Sequence, residues 1–313
     1  MYITTYSAQT ASGWGKKLNA ISILNNITRL QQHPLILGNY GGDLLCAMCE
    51  HLPVGMDYSQ RIEKMIQFAA EEMNGNLGEK EKVCLIMGVP AENPGKPKEI
   101  FDTLENTIRE SFSGKLDSYY QIRGGNESGI SLINKAVEIW TELKNETLIL
   151  GVLDSHHNEE YIKHLKKNKA VYNPISGQGV IAGEASVFIK LSRNSHDSRQ
   201  KILFRSIADS LADIFDILFQ DYPELIIEQV IGNLNTRTKI NDYILAATKF
   251  SKQFRNMEMY QTPSRFFGDT GAAEIFAMLL MDYIFRSKEN YQTSLILERS
   301  ESQWSAIVIE GIR

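Results

Sequence analysis

The stretch GGNESGISLINKAVEIW, residues 124–140, reads as a glycine turn that opens an apolar helix. In turns of the form G-x-S-x-G, the middle residue points a nucleophilic side chain at the substrate. The middle residue here is Glu127, and the nearest hydroxyl, that of Ser128, lies one place off. Asn126 and Glu127 could cap the helix or contact a ligand, because amide and carboxylate groups do both at a helix N-terminus. Both interpretations stay open from the sequence.

A second stretch with reactive side chains, DSHHNEEYIKHL at residues 154–165, is rich in histidine and glutamate. Adjacent histidines in an extended or turning segment point apart, and the stretch has no H-x-x-x-H pair with a supporting glutamate. His157 and His164 would align only if a helix ran from one to the other. We therefore interpret the whole stretch as a solvated loop, and we predict no metal site.

The cysteines Cys46, Cys49 and Cys84 are an odd number without the spacing of a disulfide framework. The C-x-x-C pair in CAMC has no second pair to complete a zinc site, and its apolar neighbourhood lacks the strand and helix of a redox motif. We predict buried, reduced thiols, which suit a reducing compartment.

Composition narrows the class of protein. The 313 residues are 43% apolar, which is enough to bury a large core. The formal charge is −5 and the lysines are scattered, so a nucleic-acid partner is not expected. The sequence has no secretory signal and no apolar run long enough to span a bilayer. We predict a cytoplasmic protein without a membrane partner and without a cofactor.

The order of predicted elements repeats along the chain. Strand-like apolar runs alternate with amphipathic helices up to the charged stretch at 192–200, and the order then recurs, beginning with a helix predicted near Ser206 to Phe219. Val83 precedes Asn126 by the same number of residues as Ile226 precedes Asp269. Such a long period predicts two similar α/β halves that share a core, with their two glycine turns meeting near a pseudo-twofold axis.

Several segments resemble the thiolase-like superfamily, and within it the β-ketoacyl synthases. NESGISLINKA is similar to the helix start that carries the family's nucleophilic cysteine, and GVLDS with GQGVIAGEASVFIKL is similar to the pair of strands that follows. FGDTGAAE resembles the family's FGHTxGAAG turn, and AQTASGWG resembles its opening strand and loop. The resemblance is piecewise but covers nearly the whole chain in the family's order.

The resemblance implies a degenerate condensing site. The family uses a thiolate to accept an acyl group and two histidines to promote decarboxylation. The matching positions here are Asn126 for the cysteine, Asn233 in GNLNTRT for the first histidine and Asp269 for the second. Ser264 stands where a lysine is expected. Ketosynthase condensation is therefore not expected, although whether the chain is an enzyme of another kind stays open.

The resemblance also implies the fold, the partners and a set of functions. The expected fold is a thiolase-like five-layer αβαβα sandwich in a single domain 1–313, with halves 1–191 and 201–313 and a linker 192–200. The implied partner is a second copy or an active ketosynthase, with acyl carrier protein as a further partner. The substrate-binding positions implied are Asn126, Glu127, Ser128, Asn233, Asn235, Gly268, Asp269 and Thr270.

Three functions stay open at this point. The first is a non-catalytic, structural or chain-length-shaping subunit in acyl-chain or polyketide assembly. The second is an enzyme with altered chemistry on an acyl thioester, with Asp269 as base. The third is a ligand-binding or scaffold protein of the same fold.

Overall fold

The computed structural model describes residues 1–37, 43–92, 96, 98–124, 128–142, 147–173, 177–194, 198–300 and 302–312. The strands are β1 (Tyr2–Thr10), β2 (Gly13–Trp14), β3 (Leu30–Leu37), β4 (Asp43–Ala47), β5 (Val83–Pro90), β6 (Leu116–Gly124), β7 (Thr147–Ser155), β8 (Glu184–Ser192), β9 (Gln200–Ala208), β10 (Gln229–Gly232), β11 (Tyr260–Gln261), β12 (Thr293–Arg299) and β13 (Trp304–Gly311). The helices are α1 (Gly15–Leu24), α2 (Tyr58–Gly75), α3 (Lys98–Asp102), α4 (Leu104–Ser111), α5 (Ser128–Glu142), α6 (Glu159–Lys167), α7 (Leu211–Asp221), α8 (Arg237–Lys249), α9 (Ser264–Phe267) and α10 (Glu274–Arg286).

The strands form two sets with the same order. In the first strand set the order is β6-β5-β7-β8-β1, and in the second strand set it is β11-β10-β12-β13-β9. In each set the first three strands run parallel and the last two pairings are antiparallel. A short antiparallel pairing of β1 with β9 joins the two sets. The repeat predicted from the order of elements is thus present in the strand topology.

The three largest apolar cores among the described residues lie between five layers, as the predicted sandwich requires. Alternate residues of a strand face opposite sides of a sheet, so Leu85 and Ile86 of β5 contribute to different cores. One outer core packs α2 and α4 on the first strand set, and the other packs α7 and α8 on the second. The central core contains α5 and α10 between the two strand sets. The five-layer α/β fold is therefore confirmed.

The helix predicted near Ser206 to Phe219 is wrong in its first part. Residues 200–208 form β9, which pairs antiparallel with β13 over its whole length. The helix α7 begins only after Ser210, because the side chain of Ser210 accepts the backbone N–H of Ala212 and caps the helix there. Pairing with a long-range partner decided the structure of a segment whose local pattern was ambiguous.

Residues 181–183, just before β8, hold a turn of the second half of the chain against the first. The backbone N–H of Asp269 donates to the carbonyl oxygen of Ile181 at 2.7 Å, and the N–H of Gly183 donates to the carbonyl of Asp269 at 3.0 Å. The carbonyl of Gly183 also accepts the N–H of His156 at 2.9 Å. Asp269 and His156 are thereby fixed on either side of one short backbone segment.

Two glycines make this close approach possible. A Cβ atom at Gly183 would lie 2.1 Å from the carbonyl oxygen of Phe267, a distance that no side chain tolerates. Gly268 faces it with a φ of +69°, in the left-handed region that favours glycine. We call residues 267–269 the FGD turn. This turn can pack against residues 181–183 only because neither Gly183 nor Gly268 has a side chain at the point of contact.

None of the helices in the described part of the chain is long and apolar enough to cross a membrane.

The substitution Gly183→Ala should lower the free energy of unfolding by about 3 kcal/mol or more, because the added methyl group must displace backbone rather than a flexible side chain. Gly55→Ala is the matched control, since a Cβ atom there meets nothing within 4 Å. Urea unfolding of both variants measures the difference. Equal stability of the two variants would contradict the contact.

Candidate functional site

A buried group of ionisable side chains lies where β7 ends and the FGD turn begins. We call Lys96, Asp154, His156 and Asp269 the carboxylate–histidine cluster. The Nζ atom of Lys96 is 2.6 Å from Oδ1 of Asp154, and both side chains are at most 3% exposed. The other oxygen of Asp154 accepts the backbone N–H of Ala272 at 3.0 Å, just after the FGD turn. The carboxylate therefore links the end of β7 to the start of α10.

His156 lies between the two carboxyl groups of the cluster. Its Nε2 atom is 3.8 Å from Oδ2 of Asp154, and its Nδ1 atom is 3.7 Å from Oδ1 of Asp269. Both distances exceed a hydrogen bond, and Nδ1 is buried without a partner among the described residues. Tyr161 packs its ring against that of His156, with centroids 4.6 Å apart. A single bridging water or a small shift would connect the imidazole to Asp269.

Burial shifts the pKa of His156 and the pKa of Asp269 in the directions that favour their uncharged forms. Burial and the charge of Lys96 hold the pKa of His156 well below its usual range, so the imidazole is neutral at pH 7. Burial and the neighbouring Asp154 raise the pKa of Asp269, although the N–H of Gly271, 3.0 Å from its Oδ1, partly opposes the shift. A neutral imidazole beside a carboxyl group with a raised pKa can exchange a proton with it, and neither group is an acylation nucleophile.

The starts of α5 and α10 meet beside this cluster. A Cβ atom at Gly129, in the first turn of α5, would lie 2.9 Å from the Cβ of Ile275 in the first turn of α10. The neighbouring Glu274 is 2% exposed, and its Oε1 atom has no partner among the described residues. Burial and the charge of Asp269 raise the pKa of Glu274 well above its usual range. The starts of α5 and α10 are therefore in contact, whereas residues 125–127 of the first glycine turn lie outside the described residues.

A second buried ion pair contacts the end of β7 through Ser155. Arg61 of α2 donates from Nε and Nη2 to the carboxylate of Glu184, at 2.7 and 2.5 Å. Glu184 also accepts the N–H of Cys49 at 2.6 Å and the hydroxyl of Ser155 at 3.2 Å. Burial alone would raise the pKa of Glu184, but the neighbouring His157 and Arg61 outweigh it and lower this pKa to about 2.

Comparisons with known proteins find likeness in structure only. No protein-family model matches the chain, and no curated protein matches it in sequence. The solved structure titled "PfaC Keto synthase-Chain length factor" matches over 100% of this chain and 43% of its own, with a TM-score of 0.74 and 11% identity. The chain thus spans less than half the length of that protein.

Two further structures match at full length. The ishigamide ketosynthase/chain length factor has a TM-score of 0.70 and 11% identity, over 100% of this chain and 99% of its own. The complex AntDE:AntF, titled as a type II polyketide synthase acyl-carrier protein with its ketosynthase bound to the hexaketide, has a TM-score of 0.74, 11% identity and the same coverage. The chain has the thiolase-like fold of ketosynthases. At these identities the likeness shows the fold alone.

Within the ketosynthase fold, the structure describes only part of the predicted site. Asn126 and Glu127 lie outside the described residues, and Ser128 is described only as the first residue of α5. Gly268, Asp269 and Thr270 form the turn that packs on residues 181–183, and all three are buried.

The two asparagines predicted for the site are not bonded to Asp269. Asn233 follows β10 and is 3% exposed, and Asn235 lies two residues further on. The Oδ1 atoms of both are buried without a partner among the described residues. No hydrogen bond joins Asn233 to Asp269 in the part of the chain that the structure describes. The predicted cluster of Asn126, Asn233 and Asp269 therefore stays a prediction.

The interpretation of residues 154–165 as a solvated loop is wrong, because α6 begins at Glu159 and the two adjacent histidines are buried. His156 is 3% and His157 9% exposed. The chain turns inward because the N–H of His156 donates to Gly183 and the N–H of His157 donates to the hydroxyl of Ser155. His164, in contrast, is exposed on α6. The position of the two histidines in the sequence could have indicated a site, because they directly follow the predicted strand that ends at Ser155. Ligands in such folds bind at the carboxyl ends of parallel strands.

Sequence reasoning also missed Lys96 and Glu274 as members of a buried polar site. Lys96 lies in a proline-rich stretch with the composition of a loop, and its burial goes with its ion pair to Asp154 and its position 4.6 Å from the centroid of the Tyr161 ring. Within the described ranges, no group of three or more His, Cys, Asp or Glu side chains is arranged to hold a metal ion.

The stability contributed by the buried carboxyl group of Glu274 and that contributed by Glu184 should change with pH in opposite directions. The raised pKa of Glu274 contributes stability below its unfolded pKa near 4.5, and this stability is lost as pH rises through the folded pKa. Glu274→Gln, which resembles the protonated form, should therefore be more stable than wild type at pH 8, with a difference that shrinks toward pH 5.

The lowered pKa of Glu184 gives the converse result. Its stabilisation is present above pH 4.5 and is lost as pH falls toward about 2. Glu184→Gln should cost about 3–5 kcal/mol at pH 7, because it leaves Arg61 buried without its anion. Urea unfolding at pH 5 and pH 8 measures both variants. A Glu274→Gln variant that is destabilised more at pH 8 than at pH 5 would contradict the assignment.

Proposed function

We propose that this chain is a non-catalytic, ketosynthase-like subunit that acts as a structural or chain-length-shaping partner in acyl-chain or polyketide assembly. The observation that carries the proposal concerns the thiols. The chain has three cysteines, all buried in the first half, and none stands at the start of α5. Burial raises the pKa of Cys46 to about 12 and also raises those of Cys49 and Cys84. A thiolate that could accept an acyl group is therefore not expected at neutral pH.

The packing around the helix starts supports the same proposal. In the fold, a condensing nucleophile would stand near the start of α5, where Gly129 is in close contact with Ile275 of α10. Asp269, where the resemblance places the second histidine, is engaged by the N–H of Gly271. These contacts stabilise the turn and leave the fold with a polar, packed centre.

The edge of the first strand set offers a surface for the partner. Among the described residues β6 is the end of the strand order and pairs with β5, so its other edge is the place where a further strand would add. Two of the similar structures are titled as ketosynthase–chain length factor proteins, and a third includes an acyl-carrier protein. We infer dimerisation through the edge of β6, with an active ketosynthase as the partner and acyl carrier protein as the donor of chains.

Co-expression with ketosynthases encoded nearby, followed by affinity purification, tests the partnership. We expect one of them to co-purify in a 1:1 complex. Tyr120→Glu, which places a charge on β6, should weaken the complex at least ten-fold, or about 1.4 kcal/mol. Leu245→Glu is the matched control, because Leu245 is an exposed apolar residue on α8, away from β6.

Sedimentation of the purified complexes measures both variants. If no ketosynthase co-purifies and the chain is a stable homodimer, the heterodimer is wrong. If Tyr120→Glu and Leu245→Glu weaken the complex equally, the edge of β6 is not the interface.

A second function is favoured by the geometry of the carboxylate–histidine cluster. A neutral His156 at 3.7 Å from Asp269, whose pKa is raised, is an arrangement suited to proton transfer. The chain would then be an enzyme that uses Asp269 as base on an acyl thioester.

Turnover of malonyl and acyl thioesters, followed by mass spectrometry of the products, decides between the two functions. The non-catalytic proposal predicts no product. If the second function is correct, Asp269→Asn should reduce turnover about 100-fold or more, as expected for the loss of a general base. Asp216→Asn is the control, because Asp216 is an exposed residue of α7.

A further inference from the structure

The side of α1 that faces solvent is apolar, whereas the side that packs on the protein is largely polar. Trp14, just before the helix, is 52% exposed, and Leu18 and Ile21 are 48% and 54% exposed. Their spacing of four and then three residues puts them on one face of the helix. We call these three residues the α1 stripe. An apolar stripe of this kind normally packs on a core, but this one is open to solvent.

Hydrogen bonds of the buried face hold α1 in this orientation. The Nδ2 atom of Asn19 donates to the carbonyl oxygens of Gly13 and Gly15, both at 2.9 Å. The hydroxyl of Ser22 donates to the carbonyl oxygen of Ser12 at 2.6 Å. Asn19 and Ser22 are at most 3% exposed, so a rotation of the helix that buried the α1 stripe would break these bonds. The apolar residues therefore stay directed outward.

A cavity of about 510 Å³ lies beside the first residue of the α1 stripe. The rings of Trp14 and Phe68 line it, with their centroids 5.4 Å apart. Two carboxylates also line the cavity, and both are engaged within the chain. Glu72 accepts two backbone N–H groups, at 3.2 and 2.9 Å, and Glu71 accepts from a glutamine side chain of the same helix at 2.8 Å. An apolar side chain of a partner can enter this cavity against the two aromatic rings.

Four basic side chains lie beside the α1 stripe. Lys16 and Lys17 are in the first turn of α1 and line the cavity. At the other end of the helix, Nζ of Lys288 is 3.4 Å from the last carbonyl oxygen of α1, and Arg265 donates to the asparagine side chain that follows the helix at 3.2 Å. None of these four cations forms an ion pair with another described residue. Their charges are available to an anionic partner.

We propose that the α1 stripe binds an amphipathic helix of another protein that carries acidic residues beside its apolar face. The apolar residues of that helix pack on Leu18 and Ile21, and one of them enters the cavity. Its carboxylates pair with Lys17, Arg265 and Lys288. A second copy of this chain does not fit, because a two-fold interface would place the same cations opposite each other. The cavity favours a shaped protein surface over a flat lipid surface.

This surface is separate from the edge of β6. Helix α1 packs on β1 and α10, and three strands, β8, β7 and β5, lie between β1 and β6 in the strand order. Binding of an acidic helix at α1 leaves the edge of β6 free. The inference therefore does not depend on the function or the partner proposed above.

Fluorine NMR of protein labelled with 5-fluorotryptophan tests the site, because Trp14 is half exposed whereas Trp140 and Trp304 are at most 6% exposed. The probes are three designed peptides of about 15 residues, near the length at which an isolated helix becomes stable. They share one leucine stripe, which is flanked by glutamate, glutamine or lysine. The glutamate peptide should shift the Trp14 resonance in a saturable way. The glutamine peptide should bind about ten-fold more weakly, since several exposed ion pairs are lost, and the lysine peptide more weakly still.

Two exposed substitutions separate the apolar contribution from the charged one. Ile21→Glu should abolish the shift of Trp14, and Ile217→Glu, at a 46% exposed position of α7, is the matched control. Lys17→Glu combined with Lys288→Glu should weaken the glutamate peptide about ten-fold and leave the glutamine peptide unchanged. Lys252→Glu, at an exposed position after α8, is the control for charge.

Equal affinity for the glutamate and lysine peptides would overturn the proposal, as would the absence of a Trp14 shift in folded protein. Equal loss of binding in Ile21→Glu and Ile217→Glu would also overturn it. Vesicles of phosphatidylcholine and phosphatidylserine are the further probe. If they shift the Trp14 resonance and none of the peptides does, the α1 stripe binds a lipid surface and the proposed protein partner is wrong.

Discussion

The structure depends on the backbone contact between residues 181–183 and the turn at Gly268. This contact joins the first half of the chain to the second through hydrogen bonds between peptide groups, which no side-chain substitution can replace. It fixes Asp269 opposite His156 and sets the start of α10 against the start of α5. The contact requires that Gly183 and Gly268 stay small, and Gly271, where a Cβ atom would lie 2.1 Å from Oδ2 of Asp154, is restricted in the same way.

The backbone contact is compatible with the proposal that the condensing chemistry is absent. The turn is held by its backbone, so the proposed replacement of a histidine by Asp269 would leave the surrounding architecture intact. The buried polar groups still need partners, and here Lys96, Asp154 and the backbone of Ala272 supply them. What stays unsatisfied, at His156, Asn233 and Glu274, marks the region where a ligand or water has most to gain.

The order of predicted elements, which rests on local periodicity, predicted the two similar α/β halves, and the family resemblance implied the five-layer sandwich and the turn at Gly268. The sequence-based prediction failed at β9, whose residues become a strand only by pairing with β13. It also failed at His156 and His157, because their burial depends on a hydrogen bond to Gly183, which lies far along the chain. The ion pairs of Lys96 and Arg61 could not be predicted for the same reason, since their partners come from distant strands.

Acyl transfer is the step on which the account can be tested most directly. Intact-mass spectrometry of this chain and of the ketosynthase that we propose as its partner, after brief incubation with an acyl thioester, detects which of the two becomes acylated. The account predicts an acyl adduct on the ketosynthase and an unchanged mass for this chain, since its thiols are buried and protonated. A stoichiometric acyl adduct on this chain would contradict it.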